Sequence, residues 1–234
     1  MLNHTGFAQI DKDETQLYQW TDSIIGQKNT GIYNGFVYTE KHRMINEKHK
    51  FFKDLNFVFG EVVYDDKPYT KVWMKYDIFE DQLILKHSFS PTDPSIILDK
   101  SRIESFSLFG HQFNNLSFTT QKGISIEGFF ETLLKTDSLQ LLKKYKKRIR
   151  SKTNENNRYY EFNDNNMYVL IKDNQHIIIK NPKKLTKQFS EYRRLIDEIE
   201  LDSEKEKNKD YDDYLVAIFS SIAKETIIPL DSGR

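Results

Sequence analysis

Between Gly31 and Phe118 the chain runs in short β-branched and aromatic stretches, interrupted about every ten positions by Gly, Pro, Asp or Asn. Branched and ring side chains fit a pleated, half-buried surface. Segments this short, with turn residues between them, leave too little room for crossover helices, so consecutive strands must fold back on one another as an antiparallel sheet. The expected strands are Ile32–Tyr38, Phe57–Tyr64, Tyr69–Phe79, Gln82–His87, Ser95–Leu98, Ile103–Phe109 and Gln112–Phe118. "YDDKPY" predicts a hairpin, because Asp65 and Asp66 tolerate turn geometry and Pro68 presets φ.

Helical periods appear only towards the ends. Leu17, Trp20 and Ile24 follow an acidic start and precede Gly26, which predicts a short N-terminal helix over Asp13–Ile25. After Asn181–Pro182, a stripe of Leu185, Phe189, Tyr192, Ile196 and Ile199 predicts a second helix. Ser203 and Glu206 have capping-box spacing ahead of a third stripe, Tyr211, Tyr214, Leu215, Ile218 and Ile222. In between, "EGFFETLLKTDSLQLLKKYKKRIRSK" fits either a helix or strands. A hairpin turning at "KTDS" is favoured, and a further hairpin is expected over Tyr168–Lys172 and His176–Lys180, turning at "DNQ".

The fold class is therefore α+β: a largely antiparallel β-sheet body with a short N-terminal helix and a C-terminal helix pair. Residues 9–182 form the N-terminal helix and β body, and residues 183–234 form a helical appendage packed on it. Tyr and Phe number 13 and 17, enough bulky apolar surface for a core despite a mean hydropathy of −0.69. Lys plus Arg equals Asp plus Glu at 35 each, so any affinity for nucleic acid or an anionic surface must be local. The chain has no cysteine, which removes disulfides, thiol catalysis and Cys-ligated zinc. No apolar run approaches the ~18 residues of a membrane span.

The landmarks "YNGFVY", "EKHKFF", "FVFGEVVYDDKPYTKVWMKYDIFEDQLIL", "ILDKSRIESFSL" and "GFFETLLKTDSLQLLKKYKKRI", followed by "KKLTKQFSEYRRLIDEIELDSEKE", come in an order that resembles a group of uncharacterised exported β-rich proteins of Bacteroidota. The resemblance implies a periplasmic or outer-membrane-associated location and a β-rich body, and it implies no activity or cofactor. "TGFA" before Gln9 places Gly6 and Ala8 as at a signal cleavage site, so residues 1–8 are expected to be a signal-peptide remnant. With Gln at the expected mature position 9 and no Cys in the chain, the expected signal is not of the lipoprotein kind.

Sites are sparse. Asp77, Glu80 and Asp81 are the densest acids of the strand region, and they read better as a solvated hairpin corner than as a calcium loop or an acid/base pair. No two histidines sit at i, i+4, and His42 and His49 with Glu47 read as surface or packing residues rather than metal ligands. The sharpest local feature is "KKYKKRIRSK". As one strand it places Lys144, Lys146, Arg148 and Arg150 on a common face beside Tyr145, an arrangement suited to an anionic surface ligand or to a solvated face. The expected function is that of a non-enzymatic envelope protein with a protein partner, no cofactor and no metal. Two alternatives stay open: an enzyme of the hydrolase class with a site assembled from sequence-distant Asp, Glu and His, and a cytoplasmic nucleic-acid-binding protein using residues 143–152.

Overall fold

In the computed structural model, Asp65 and Asp66 both take positive φ, 51° and 61°, and close a two-residue turn. Such a turn twists in the same sense as the strands that it joins. Those strands are β2 (Val58–Tyr64) and β3 (Lys67–Asp77), paired antiparallel from Tyr64↔Lys67 onward. The second expected hairpin closes in the same way, on Asp173 and Asn174 at φ 51° and 58°, between β12 (Met167–Lys172) and β13 (Gln175–Ile179). The structure describes residues 31–86, 92–120, 123–155, 157–179, 185–205 and 210–227. The expected signal remnant and the N-terminal helix at 13–25 lie outside the described residues.

The chain divides into two compact units. The first takes residues up to His111 together with Ile149–Phe162, and the second takes Gln112–Arg148 and Asn163 onward. The remaining strands of the first unit are β1 (Phe36–Val37), β4 (Gln82–Lys86), β5 (Ser95–Ile97) and β6 (Ile103–Leu108), in the order β1-β5-β4-β3-β2-β6. Each adjacent pair in this order, β1 with β5, β5 with β4, β4 with β3, β3 with β2 and β2 with β6, is antiparallel. One face buries Met74, Tyr76, Leu83, Leu85 and Phe106, with the Tyr76 and Phe106 rings 5.2 Å apart. Gly60 sits where the β2–β3 register shifts. A Cβ there would lie 2.3 Å from the Met74 methyl and 2.4 Å from the Ser107 carbonyl oxygen, so the strand's close approach requires glycine.

The second unit orders β7 (His111–Thr119), β8 (Ser125–Lys135), β9 (Leu139–Lys144), β12 and β13 side by side. The hairpin at "KTDS" is thus present, with Thr136 N–H donating to the Leu139 carbonyl at 2.9 Å, and the helical alternative for residues 139–150 is excluded. Three helices, α1 (Leu185–Gln188), α2 (Arg193–Lys205) and α3 (Tyr211–Ile227), lay Leu185, Ile196, Leu215, Ile218, Phe219 and Ile222 against Leu139, Leu141 and Leu170. The expected core positions Phe189, Ile218 and Ile222 are buried, and Tyr192 packs at the edge of the cluster. β10 (Lys147–Asn154) and β11 (Asn157–Asp164) form a separate two-stranded ribbon.

Three local expectations are corrected. Residues 32–38 are not one strand: Gly31–Tyr33 is a 3-10 turn closed by Asn34 N–H to the Gly31 carbonyl, and only Phe36–Val37 pairs. The helix expected from 185 to 199 breaks at Phe189 (φ −126°, ψ 60°), whose ring turns in to meet Phe219 edge-on at 5.5 Å. Burying the ring outweighs helical continuity there. The third is the start of the last helix: α2 runs on through position 203 to Lys205, and ahead of α3 it is Asp210 that accepts from Asp212 N–H, at 3.4 Å.

Candidate functional site

The first unit gathers its buried charge at the far end of β3. Strand alternation sends Trp73, Lys75 and Asp77 to the face opposite Met74 and Tyr76. Register extends the row through Lys75↔Ile84, Ile84↔Ile97 and Ile97↔Phe36, with Trp73↔Phe59 beside it. The segment before β2 then adds a short antiparallel edge: Phe52 N–H donates to the Tyr76 carbonyl at 2.9 Å, Ile78 N–H donates to the Lys50 carbonyl at 3.0 Å, and Phe51 lies opposite Asp77. This edge carries Lys50 into the interior.

Lys50 is 2 % exposed, and its Nζ lies 2.8 Å from Asp77 Oδ2 and 3.0 Å from Glu40 Oε1. Asp77, fully buried, also accepts from the N–H groups of Phe79 and Glu80 at 3.1 Å each. Burial pushes the Asp77 carboxyl above its ordinary value against the pull of Lys50 and the Glu80 N–H. Glu40 ends below its ordinary value: burial raises it, but hydrogen bonds from the Tyr38 hydroxyl, the His42 N–H and Lys50 outweigh that rise. The Tyr38 phenol moves up through burial and its bond to Glu40.

Lys75 differs from Lys50. Its Nζ stands 3.8 Å from the Phe51 ring centroid, 4.7 Å from that of Phe57 and 5.5 Å from that of Tyr38, and no carboxylate comes within ion-pair distance of it among the described residues. Burial lowers the ammonium from its ordinary 10.5 to about 8; Lys50 and Lys86 push the same way, and Glu40 and Asp77 oppose. A half-buried amine walled by rings, beside a second cation, is the setting in which lysine becomes nucleophilic.

The expected site residues fall elsewhere and do not form one face. The strand breaks at Tyr145 and Lys146, between β9 and β10, where the Tyr145 hydroxyl donates to Glu131 at 2.7 Å. Lys144 is buried with its Nζ 5.2 Å from the Phe130 ring. Lys146 is half-buried, its N–H bonded to the Asn166 side chain, whereas Arg148 and Arg150 are exposed on β10. The neighbouring Lys143 points to the helices, ion-paired with Asp212 and 4.2 Å from the Tyr145 ring centroid. The acidic corner is a hairpin as expected, joining β3 to β4 at Asp77↔Gln82 with Glu80 exposed, but it is not wholly solvated: Asp77 is interior, and Asp81 accepts from Tyr76 and Lys100 at 2.6 Å each. His42 packs edge-on to Phe79, Tyr160 and Phe162, and among the described residues no group of three His, Asp or Glu is placed to hold a metal.

Sequence reasoning singles out Asp77 but neither lysine. The signal available was the pairing of "HKFF" with "VWMKYD", two lysines each flanked by aromatic residues. No helix of the described residues is long and apolar enough to cross a membrane. Comparison with family models, with curated proteins and with solved structures finds no match to the chain.

Proposed function

We propose that the chain works by binding rather than by turnover, as a non-enzymatic protein of the bacterial cell envelope, exported to the periplasm or the outer-membrane surface, whose contact is with another envelope protein. The observation that carries this reading is the edge of the first unit's sheet. β1 is its terminal strand, and Phe36 and Val37 are 76 % and 67 % exposed there, with Phe59 61 % exposed on the same face as Phe36. An edge strand presents unpaired backbone groups, and natural sheets usually guard such an edge with charge or Pro. An apolar edge is the surface to which an extended segment of a partner adds as a further strand. Arg148, Arg150 and Lys152, exposed on β10, are what remains of the basic run for an anionic surface.

The test is a photo-crosslinking residue at position 36 and, separately, at 59, in the native host, followed by fractionation. The expected result is one and the same envelope protein captured from both positions, which in purified form binds the wild-type chain and not a Phe36→Ser/Val37→Ser variant of unchanged Tm. A fall of several degrees in the variant's Tm, with no common partner, would show that the chain itself uses this edge. Recovery of the protein in the cytoplasmic fraction would overturn the envelope assignment.

A further inference from the structure

Lys75 has three features that together define a chemistry beyond protein contact. Its nitrogen is held against the faces of Phe51 and Phe57, at 3.8 and 4.7 Å from the ring centroids, so the side chain is oriented rather than sweeping through solvent. The two carboxylates whose charge favours its ammonium, Glu40 and Asp77, are both bonded to Lys50, at 3.0 and 2.8 Å. Lys75 itself is partly accessible, in the middle of a row that ends at the exposed Phe36. An amine so placed has, among the described residues, no ion-paired carboxylate of its own, a neighbouring cation that disfavours its charge, and apolar walls for a flat guest.

We propose that Lys75 is a carbonyl-capturing amine that holds small aromatic aldehydes or ketones reversibly as an imine, with Phe51 and Phe57 as the walls of the site. The amine nitrogen bonds to the carbonyl carbon. The carbonyl oxygen leaves with the two amine protons as one water, and a C=N bond replaces C=O. Hydrolysis returns both partners, and no oxidant or reductant takes part. The two ring faces favour the ammonium and hold it in place, while burial and Lys50 favour the free amine. Burial is the largest of the effects of burial and neighbouring charge on this ammonium, and it lowers it against the pull of Glu40 and Asp77. The charged and titratable groups that bear on the nitrogen are Glu40, Asp77, Lys50 and Lys86, with the Tyr38 ring beside it.

The test treats the full chain with benzaldehyde and cyanoborohydride at neutral pH, which fixes any imine as a secondary amine, and maps the adducts by mass spectrometry. Lys67 and Lys71, exposed on the same strand, are internal standards. Lys75 should be labelled at least about tenfold faster than either, because a larger share of it is unprotonated at that pH. Its labelling rate should level off near pH 8, whereas those of the standards keep rising. Lys75→Arg, which keeps a cation over the rings, should lose the adduct with no change in Tm. Labelling of Lys75 no faster than Lys71 in the wild-type chain would overturn the proposal, and that comparison needs no variant to fold.

Discussion

Lys143 in the second unit and Lys75 in the first are both inward-facing lysines with aromatic rings around the nitrogen, and they differ in one partner. Lys143 lies 4.2 Å from the Tyr145 ring centroid and 5.9 Å from that of Tyr168, and it is closed by an ion pair with Asp212, which α3 supplies from its first turn. Asp212 also accepts from the Tyr168 hydroxyl at 2.8 Å, so sheet, ring and helix are tied by one carboxylate. Lys75 has rings at similar distances and, among the described residues, no such carboxylate; the two whose charge acts on it, Glu40 and Asp77, are bonded to Lys50. The same residue type in the same kind of cage is thus a structural tie in one unit and an available amine in the other. Charge pairing distinguishes them: Lys143 is tied in place by its bonded anion, whereas Lys75, without one among the described residues, is pushed by burial towards the neutral form.

The largest expected effect comes from breaking the pair that leaves Lys75 available. Asp77→Ala strips Lys50 of one of its two anions while it stays buried, and it removes the acceptor for the N–H groups of Phe79 and Glu80. Orphaning a buried charge typically costs about 3–5 kcal/mol, to be read as a shift in denaturant midpoint at constant m. A loss below about 1 kcal/mol would show that Glu40 alone satisfies Lys50, the value expected of an ordinary surface pair.

A smaller effect sharpens the comparison directly. Asp212→Asn keeps the shape of the side chain and an acceptor for Tyr168 but removes the charge facing Lys143. The expected cost is about 1–3 kcal/mol, in the range for hydrogen bonds to charged groups. More telling, Lys143 should then join Lys75 among the lysines trapped by aldehyde and cyanoborohydride. If Lys143 stays unlabelled in the folded variant, ring walls and a missing anion are not sufficient, and the accessibility of Lys75 is the deciding term.

How much of this was legible in the sequence follows the range of the interactions. Turns at Asp65–Asp66 and Asp173–Asn174 are local, since adjacent residues that tolerate positive φ declare them, and they are where expected. The buried stripe of α3 repeats every three to four positions and is equally plain. The break at Phe189 was hidden because the stripe continues through it; only its meeting with Phe219, thirty positions on, bends the chain. The lysine site was hidden for the same reason. Glu40, Lys50 and Lys75 belong to three separate segments, and a lysine on an alternating strand reads as solvated until the neighbouring segment is seen to lie over it. The basic run erred in the opposite direction. Counting charges at period two assumed one unbroken strand, and the hydrogen bond from Tyr145 to Glu131 accompanies the end of β9 before the arginines begin.

The smallest expected effect is a slope. The Lys75 ammonium titrates near 8 when the chain is folded and near 10.5 when it is unfolded. Between those values the unfolded chain binds more protons than the folded one, so this group makes stability rise with pH; its contribution is complete above the unfolded value and is lost as pH falls through about 8. The tyrosines act with the opposite sign. Tyr38, Tyr145, Tyr168 and Tyr211 are all raised, chiefly by burial, so the folded chain keeps phenol protons that the unfolded chain gives up above its ordinary 10.0, and stability falls there. Below about pH 9 the phenols are protonated in both states, which leaves Lys75 alone among these groups to set the slope. Denaturant midpoints of wild type and Lys75→Met, measured from pH 7.5 to 9, should therefore diverge: the wild type gains stability relative to the variant as pH rises. Parallel curves would mean that the Phe51 and Phe57 faces hold the ammonium as strongly as water does, and the distinction between Lys75 and Lys143 would then rest on access rather than on charge.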